Sequence, residues 1–360
     1  MASKFLKYPT IPFRIKQGKN AAQILEGMLA TGFQGKALAE AFAIWKEMLR
    51  QKKITVWLGV SGAIIPAGMR RIIAYLIEKR FVDVIVSTGA QVFHDIAEAM
   101  GVVHYRGSAL ADDKELLKEG IDRFYDVLVQ ENLQRRIDRQ IQVFIESLDP
   151  EYQYSSREFL ELLGHDLAKK AKHKDSILVQ AARAGVPVFA PALCDSSIGY
   201  SFVMARRGIR DASDGSKFTG TDHGVYRYID QMKDIDETVQ IAECSPKSAV
   251  IYLGGGVPKN FIQQTELLNL ILGNALPGHD YAIQLTTDNP HFGGLSGCTF
   301  NEAQSWGKIS KGAKMAQCFC DVTIGLPLLA QGLAEEEKLA RARRKPIFRW
   351  SGRHLKVVYQ

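Results

Sequence analysis

The stretch SAVIYLGGGVPKNFIQQTELLNLIL, residues 248–272, contains the pattern that decides the fold. A short apolar run ends at Leu253, three glycines follow, and the helical pattern PKNFIQQTELLNLIL comes next. A buried strand that leads through a tight turn into a helix is the unit from which α/β proteins are built. This one stretch therefore predicts a strand, a glycine turn and a helix in succession.

Five further stretches carry a similar apolar run, and most of them are followed by a helical pattern. They are ITVWLGVSG (54–62), VDVIVSTGA (82–90), VPVFAPALCD (186–195), YAIQLTTD (281–288) and KMAQCFCD (314–321). After the first of them, Pro66 suits the first turn of a helix. Six strands that alternate with helices predict an α/β fold with a doubly wound, mostly parallel sheet.

The turns after these strands read VSG, STG, LCD, GGG, TTD and FCD. In doubly wound folds, ligands bind beyond the carboxyl ends of the strands, where glycines and helix N-termini admit a phosphate. An aspartate there can accept hydrogen bonds from ribose hydroxyls. The turns thus favour a dinucleotide, although no G-x-G-x-x-G is present, and GGGVPK read alone is equally compatible with a structural turn.

The composition indicates a globular protein, with 46% hydrophobic residues over 360 positions. No apolar run has membrane-spanning length, and the first twenty residues lack the pattern of a secretory signal, so a cytoplasmic location without membrane association is expected. The five cysteines form no C-x-x-C pair. Neither a disulfide framework nor a metal site is therefore predicted.

The net charge of +7 is concentrated at one end of the chain. Residues 338–360 contain eight Lys or Arg and no acid, so the rest of the chain carries a net charge of about −1. A basic end of this kind could bind phosphate groups of a nucleic acid. The interpretation preferred here is a helix end and an arm that packs on a neighbouring subunit, with no nucleic-acid partner.

The sequence also predicts how the chain is divided into segments. Residues 1–50 read as a helical segment with a break at TGFQG, residues 51–332 as the catalytic domain, and residues 333–360 as a basic tail. Within the domain, residues 108–175 read as a charged helical excursion. Residues 210–224 read as a Gly/Ser/Thr/Asp loop, either a lid or a long connection.

One lysine stands out in the stretch NEAQSWGKIS, residues 301–310. Lys308 follows glycine, but Glu302 and Ile309 replace the glycine and hydroxyl residue that a phosphate-binding G-x-x-x-x-G-K-[ST] loop needs. Two interpretations remain for the isolated motif. Lys308 is either a solvated surface residue or an amine that forms a Schiff base beside the apolar Trp306.

Taken together, the motifs resemble the deoxyhypusine synthase family, in order and over nearly the whole chain. The matching stretches are TGFQG, the LG-x-S-G turn, VDVIVSTGA, PVFAPALCDSSIG, VIYLGGGVPK, EAQSWGKI and CDVTIGLPLL. The resemblance implies a Rossmann-like fold, NAD as cofactor, and transfer of an aminobutyl group from spermidine to a protein lysine. It also implies a homotetramer with active sites at dimer interfaces. Related enzymes pass the same group to putrescine and make homospermidine.

The resemblance also implies roles for individual residues. Lys308 would form the imine, Trp306 would shield it from water, and Glu302 would hold a substrate ammonium. The positions expected around NAD are Ser61, Thr88, Gly89, Asp195, Gly254, Gly255, Gly256, Thr287, Asp321 and Val322.

Several family positions differ in this chain. Asn260 replaces the histidine that serves as general base, and it cannot take a proton near neutrality. Tyr200 and Leu295 stand where the family keeps aspartates that bind the polyamine. Phe93 and His94 replace two glutamates, and Gly62 and Ala63 replace a Ser-Asn pair.

Three explanations are open for these differences. The enzyme could use a shorter or less cationic amine, it could have become a non-catalytic NAD-binding scaffold or sensor, or other acids could replace the missing ones. Candidate replacement acids are Asp288, Asp222 and Asp214, and candidate replacement bases are His94, His223 and His291. Because the lysine, tryptophan and glutamate of the motif all remain, a working aminoalkyltransferase is the preferred interpretation.

Overall fold

A computed structural model describes residues 6–209, 225–274 and 277–360. Six strands form one parallel sheet in the order β6-β2-β1-β7-β8-β9. Their bounds are β1 Thr55–Val60, β2 Val84–Ser87, β6 Val188–Phe189, β7 Ser248–Leu253, β8 His279–Thr286 and β9 Ile309–Phe319. The doubly wound, Rossmann-like α/β fold with six parallel strands is confirmed.

Fourteen α-helices lie in the described part of the chain. In order, they are α1 Ala21–Met28, α2 Phe33–Arg50, α3 Arg70–Glu78, α4 Gly89–Ala99, α5 Asp113–Glu119, α6 Glu131–Glu146, α7 Ser156–Lys170, α8 Ile177–Ala184, α9 Ser197–Arg206, α10 Gln231–Glu243, α11 Gly256–Ile271, α12 Phe300–Ser305, α13 Val322–Ala334 and α14 Glu337–Ala342.

The chain divides into two compact units, which differ from the three segments expected. Unit 1 consists of Met1–Gly59, Lys79–Val84 and Val239–Gln360, and unit 2 consists of Val60–Glu78 and Ile85–Thr238. The helical N-terminal segment is therefore part of a larger unit, because α1 packs on α13 and α2 packs on β9. Gly332 admits this packing, since a Cβ there would lie 2.9 Å from the Phe42 ring.

The C-terminal residues are also built into unit 1. Residues 346–359 form an antiparallel hairpin of β10 Pro346–Ser351 and β11 His354–Tyr359. Just before it, the buried Arg343 guanidinium donates to both carboxylate oxygens of Asp83, at 2.6 and 2.7 Å. Tyr359 Oη lies 2.9 Å from Thr55 Oγ1. The stretch expected as a basic tail is thus a folded element, and Arg343 is not available to a phosphate.

Unit 2 is held by polar contacts at helix starts. The fully buried Asp95 of α4 accepts hydrogen bonds from the backbone N–H groups of Ile177 and Leu178 and from Ser176 Oγ at the start of α8. Burial raises the pKa of Asp95 to about 6 despite these donors. β2 and β6 pair in parallel, with Ile85 opposite Val188.

The charged segment 108–175 is not wholly helical. A three-stranded antiparallel sheet, in the order β3-β5-β4, is formed by β3 Tyr105–Arg106, β4 Ile121–Phe124 and β5 Val127–Gln130. The hairpin between β4 and β5 turns at Tyr125, which has φ 56°. Positive φ in a hairpin turn is usually marked by Gly or Asn, so this hairpin has no turn signal in the sequence.

No helix among the described residues is both long enough and apolar enough to cross a lipid bilayer.

Candidate functional site

The glycine turn after β7 lies in unit 1 and contacts residues 294–298. Gly254 and Gly256 have positive φ, 78° and 56°, a conformation that favours glycine. At Gly255, a Cβ would lie 2.5 Å from Ser296 Cα. All three glycines therefore have local reasons to be glycine, two conformational and one steric.

The first N–H group of α11 is already hydrogen-bonded. Gly256 N–H donates to Ser296 Oγ at 2.8 Å, and Gly254 N–H donates to Leu285 O at 2.8 Å. A phosphate on this turn would have to displace the serine. The glycine turn thus packs against residues 294–298, a contact that sequence patterns alone did not reveal.

Lys308 lies on the turn between α12 and β9. Gly307 precedes it with φ 73°, which explains the glycine of the motif. The Lys308 backbone is fixed on both sides, because its N–H donates to Ala303 O at 3.1 Å and its carbonyl accepts from His279 N–H at 3.2 Å. The side chain thus projects from an anchored backbone and is partly accessible.

Trp306 and Glu302 accompany this lysine. Lys308 Nζ lies 5.2 Å from the centre of the Trp306 ring, within the range of a cation–π contact. Trp306 is 57% exposed, so within one chain it covers only one side of the amine. Lys308 and Glu302 form no ion pair with each other, and the Glu302 side chain is instead hydrogen-bonded to the Cys298 thiol.

The acidic side chains around this turn form one charged cluster. The charges of Glu302, Lys308 and Asp288 all act on Lys259, a fully buried lysine of α11. Burial, together with Glu302, raises the pKa of the Cys298 thiol. Of the three acids proposed as replacements, Asp288 belongs to this cluster, and Asp214 and Asp222 lie outside the described residues.

Asn260 and Leu295 lie in the same unit. Asn260 is the residue of α11 that follows Lys259, it is partly accessible, and its side chain has no hydrogen-bond partner among the described residues. Leu295 begins a short 3-10 turn and is 39% exposed. Leu295 therefore brings no charge to this surface, and Asn260 brings no proton acceptor.

Asp321 ends the last strand of the sheet and caps α13. Its Oδ1 accepts from Thr323 N–H at 2.7 Å and from the Thr323 hydroxyl. The carboxylate is exposed, and its Oδ2 has no partner among the described residues. Val322 begins the helix and is buried, whereas Thr287 is exposed after β8. One carboxylate oxygen therefore remains available to a ligand.

Unit 2 contains the other predicted cofactor residues. Thr88 caps α4 by accepting from Gln91 N–H at 3.3 Å, and Gly89 begins that helix. A Cβ on Gly89 would lie 2.4 Å from Ser196 Oγ, so this glycine allows close packing inside the unit. Ser61 is partly exposed at the end of β1.

Asp195 and Tyr200 lie around the start of α9 in unit 2. Both are exposed, and the carboxylate of Asp195 has no partner among the described residues. Tyr200 is 62% exposed, on the first turn and a half of the helix. Asp195 can therefore still accept a hydrogen bond from a ribose or an amide.

The histidines considered as replacement bases have different surroundings. His94 is buried against Phe93, His104 and Phe124, and burial lowers its pKa to about 4. A proton acceptor enclosed in this way does not fit the role. His291 is exposed on a 3-10 turn, and His223 lies outside the described residues.

Three polar residues that sequence patterns missed lie beside the glycine turn. Lys259, Gln284 and Gln317 form a buried hydrogen-bonded network with the backbone of residues 296 and 298. Gln284 and Gln317 interrupt the apolar runs YAIQL and MAQCF within their strands, which is the signal that could have identified them. No group of three His, Cys, Asp or Glu side chains in the described ranges is arranged to hold a metal ion.

Comparison with known proteins agrees with this description. The sequence model of deoxyhypusine synthase matches residues 23–333. A protein of Methanosarcina mazei named probable deoxyhypusine synthase 2 is 49% identical over 99% of this chain and 98% of its own length. The protein of the same name from Archaeoglobus fulgidus is 48% identical over 89% of this chain and 99% of its own length. A crystal structure from Entamoeba histolytica, described as a "putative deoxyhypusine synthase", superposes with a TM-score of 0.58 at 17% identity, covering 88% of this chain and 93% of that one. From the family match and these identities, the chain belongs to the deoxyhypusine synthase family.

Proposed function

We propose that this protein is an NAD-dependent aminoalkyltransferase that carries the aminoalkyl group as an imine on Lys308. Family membership supports an aminobutyl transferase. The observation that carries the finer proposal is the turn at residues 302–308, where a partly accessible lysine that forms no ion pair with any described residue lies 5.2 Å from an aromatic ring, on the same turn as the exposed Glu302.

Two features of the predicted cofactor residues fit NAD, and one does not. Asp195 and Asp321 each offer an unpartnered carboxylate oxygen after a strand, and Thr88, Gly89, Ser61, Thr287 and Val322 belong to the same kind of turn. Gly254, Gly255 and Gly256 allow close backbone approach, but the Gly256 N–H is taken by Ser296. We propose the carboxylates as the ribose or amide contacts. When bound, NAD would accept and later return the hydride.

Lys308 acts as the nucleophile in the proposed reaction. Its neutral amine adds to the imine carbon of the oxidised donor, and the carbon–nitrogen bond to the departing amine then breaks. The acceptor amine displaces Lys308 from the new imine in the same way, and reduction completes the transfer. Proteins can obtain a neutral lysine by placing it near a second cation or an apolar wall. Trp306 covers one side of the amine within one chain, with Lys308 Nζ 5.2 Å from its ring centre, and the remaining desolvation is proposed to come from a second chain.

Glu302 and Asp288 are proposed to hold the ammonium groups of the amine. Both are exposed carboxylates of the cluster that acts on Lys259. A carboxylate that binds the distal ammonium fixes the reacting carbon relative to Lys308. Because Tyr200 and Leu295 contribute no charge, we expect a donor that carries fewer or more closely spaced positive groups than spermidine.

The proposed assembly is a homotetramer with each active site completed at a dimer interface. Large apolar side chains are exposed in unit 1 near the lysine turn, with Phe292 at 86% and Trp306 at 57%. A second chain that covers this surface would complete the shielding of Lys308. A cytoplasmic location, and a protein lysine as acceptor, remain predictions of the same kind.

The test is a transfer assay with NAD and a panel of diamines and polyamines labelled in the aminoalkyl group. Putrescine and a lysine-containing protein extract serve as alternative acceptors, and mass spectrometry locates the label. Label on putrescine would favour a homospermidine-type enzyme, and label on protein would favour lysine modification. Binding of NAD without transfer from any amine would leave the scaffold or sensor interpretation.

A further inference from the structure

Lys259 is the most deeply buried lysine among the described residues, with no exposed surface. Its Nζ donates to Cys298 O at 2.6 Å, to Gln284 Oε1 at 3.0 Å and to Ser296 O at 3.4 Å. No carboxylate lies within 4 Å of it in the described ranges. The ammonium is thus held by three neutral oxygens, one for each of its hydrogens.

Two glutamines complete the network. Gln317 Nε2 donates to Gln284 Oε1 at 2.8 Å and to Cys298 O at 3.0 Å, and Gln284 Nε2 donates to Ser296 O at 2.8 Å. Every oxygen that Lys259 contacts therefore has a second donor. Removing the lysine amine would weaken the network without leaving an oxygen unsatisfied.

The network holds one segment, residues 294–298, against the glycine turn. Ser296 is fixed from two directions, through its carbonyl by Lys259 and through its hydroxyl by Gly256 N–H. Cys298 directly precedes Thr299, whose hydroxyl accepts from Glu302 N–H at 3.1 Å and begins α12. The lysine is therefore connected through two short steps to the helix that carries Glu302.

Stability alone does not account for an ammonium in this position. A charge buried without a counter-ion is costly, and an apolar side chain of similar volume is often as stable or more stable. Burial lowers the pKa of Lys259 to about 8, which reflects this cost. What the ammonium offers and an apolar side chain cannot is a directed bond to each of three oxygens.

We propose that Lys259 is a positioning residue that clamps residues 294–298 onto the glycine turn and so fixes Glu302 for amine binding. This consequence for amine binding rests on the proposed function, whereas the clamp itself does not. Gly255 is part of the same clamp, because a Cβ there would push against Ser296.

Hydrogen–deuterium exchange of the full-length protein tests the clamp without any substrate. Lys259→Met keeps the chain length of the side chain and removes the donor. We expect peptides covering residues 289–305 to exchange roughly tenfold to a hundredfold faster than in the wild type, with the rest of unit 1 unchanged. Lys311→Met, at an exposed position on β9, is the matched control and should change nothing.

A second variant covers the case that Lys259→Met does not fold. Gly255→Ala leaves the ammonium in place and puts a methyl group 2.5 Å from Ser296 Cα, so residues 294–298 would have to move away from the glycine turn. Faster exchange of residues 289–305 is again expected. Wild-type exchange there in either folded variant would overturn the clamp.

The kinetic readout separates the clamp from the proposed reaction. If the reaction is correct, Lys259→Met should raise the KM for the amine about tenfold or more, with unchanged NAD affinity and a smaller effect on kcat. Faster exchange with no transfer by the wild type would support the clamp and refute the reaction. The clamp would be refuted if Lys259→Met lowered kcat but left both the KM for the amine and the exchange of residues 289–305 unchanged.

Discussion

Asp321 combines two roles that substitutions can separate. Its Oδ1 caps α13 and its Oδ2 has no partner in the described part of the chain, so Asp321→Ala should lose about 1 kcal/mol of unfolding free energy together with NAD affinity. Asp321→Asn keeps a good cap and removes the charge, and it should retain stability but bind NAD more weakly. Urea unfolding and calorimetry measure the two effects. An Asn variant that binds NAD as the wild type does would show that the carboxylate charge is not a cofactor contact.

Leu295 gives a test of donor selectivity at a single residue. It is partly exposed where the family pattern has an aspartate, so Leu295→Asp should be tolerated. We expect the new carboxylate to tighten spermidine binding by roughly tenfold, because a hydrogen bond to a charged group is worth about 1.5–3 kcal/mol. Leu295→Asn controls for polarity, and the KM for spermidine is the measurement. Equal KM values for the wild type and both variants would place the amine elsewhere.

Lys259, on α11, should make the free energy of unfolding depend on pH. Its pKa is about 8 in the folded chain and its ordinary value is 10.5, so between these pH values the unfolded chain binds the extra proton. Stability due to Lys259 therefore rises with pH across this window, by up to about 3 kcal/mol. The difference in unfolding free energy between the wild type and Lys259→Met should rise from pH 8 to pH 10. A difference that stays constant would mean that Lys259 is not buried as a charge.

The C-terminal element, which consists of the hairpin β10–β11 and the residues before it, should contribute to the stability of unit 1. The buried pair of Arg343 and Asp83 is hydrogen-bonded through both carboxylate oxygens. Arg343→Met should lower the free energy of unfolding by roughly 3–5 kcal/mol. Arg80 should reduce this loss, because it also contacts Asp83, at 3.1 Å. Arg341→Met, in an exposed pair with Glu337, should cost less than about 1 kcal/mol. If both variants unfold at the wild-type urea midpoint, residues 343–359 do not stabilise unit 1.

Elements with a strong local pattern could be predicted, and those that depend on distant contacts could not. All six strands of the main sheet were recognisable from an apolar run that ends in a turn, but β9 begins at Ile309, five residues before its run, in the polar stretch ISKGA. The hairpin at residues 121–130 was missed because its turn has Tyr125 in place of Gly or Asn. The basic C-terminal stretch looked exposed because the partner of Arg343, Asp83, is 260 residues away.

The candidate site shows the same division. The lysine turn was found from its motif, and Gly307 and the capping by Asp321 follow from local backbone geometry. Lys259 was missed because its role depends on carbonyl oxygens of residues 296 and 298, which no sequence pattern encodes. The sequence could not decide between a phosphate site and a structural role for the glycine turn, because its contact with Ser296 is likewise invisible before folding.

At the scale of the whole molecule, the exposed apolar side chains near the lysine turn predict self-association. A tetramer of chains of 40.0 kDa should be the main species by native mass spectrometry. Phe292→Asp places a charge on this surface and should shift the population to smaller species, and Tyr8→Asp, at another exposed aromatic residue, is the control. A wild type that remains a monomer at micromolar concentration would leave the shielding of Lys308 to its own chain.

The central claim is that Lys308 carries the aminoalkyl group, and reductive trapping tests it most directly. The protein is incubated with NAD and the amine that supports transfer, reduced with borohydride, digested and mapped by mass spectrometry, with Lys308→Arg and Lys311→Arg as variant and control. We expect one aminoalkyl adduct, on Lys308, absent from Lys308→Arg and retained in Lys311→Arg, with NAD binding intact in both. An adduct on another lysine, or transfer at the wild-type rate by Lys308→Arg, would contradict the claim.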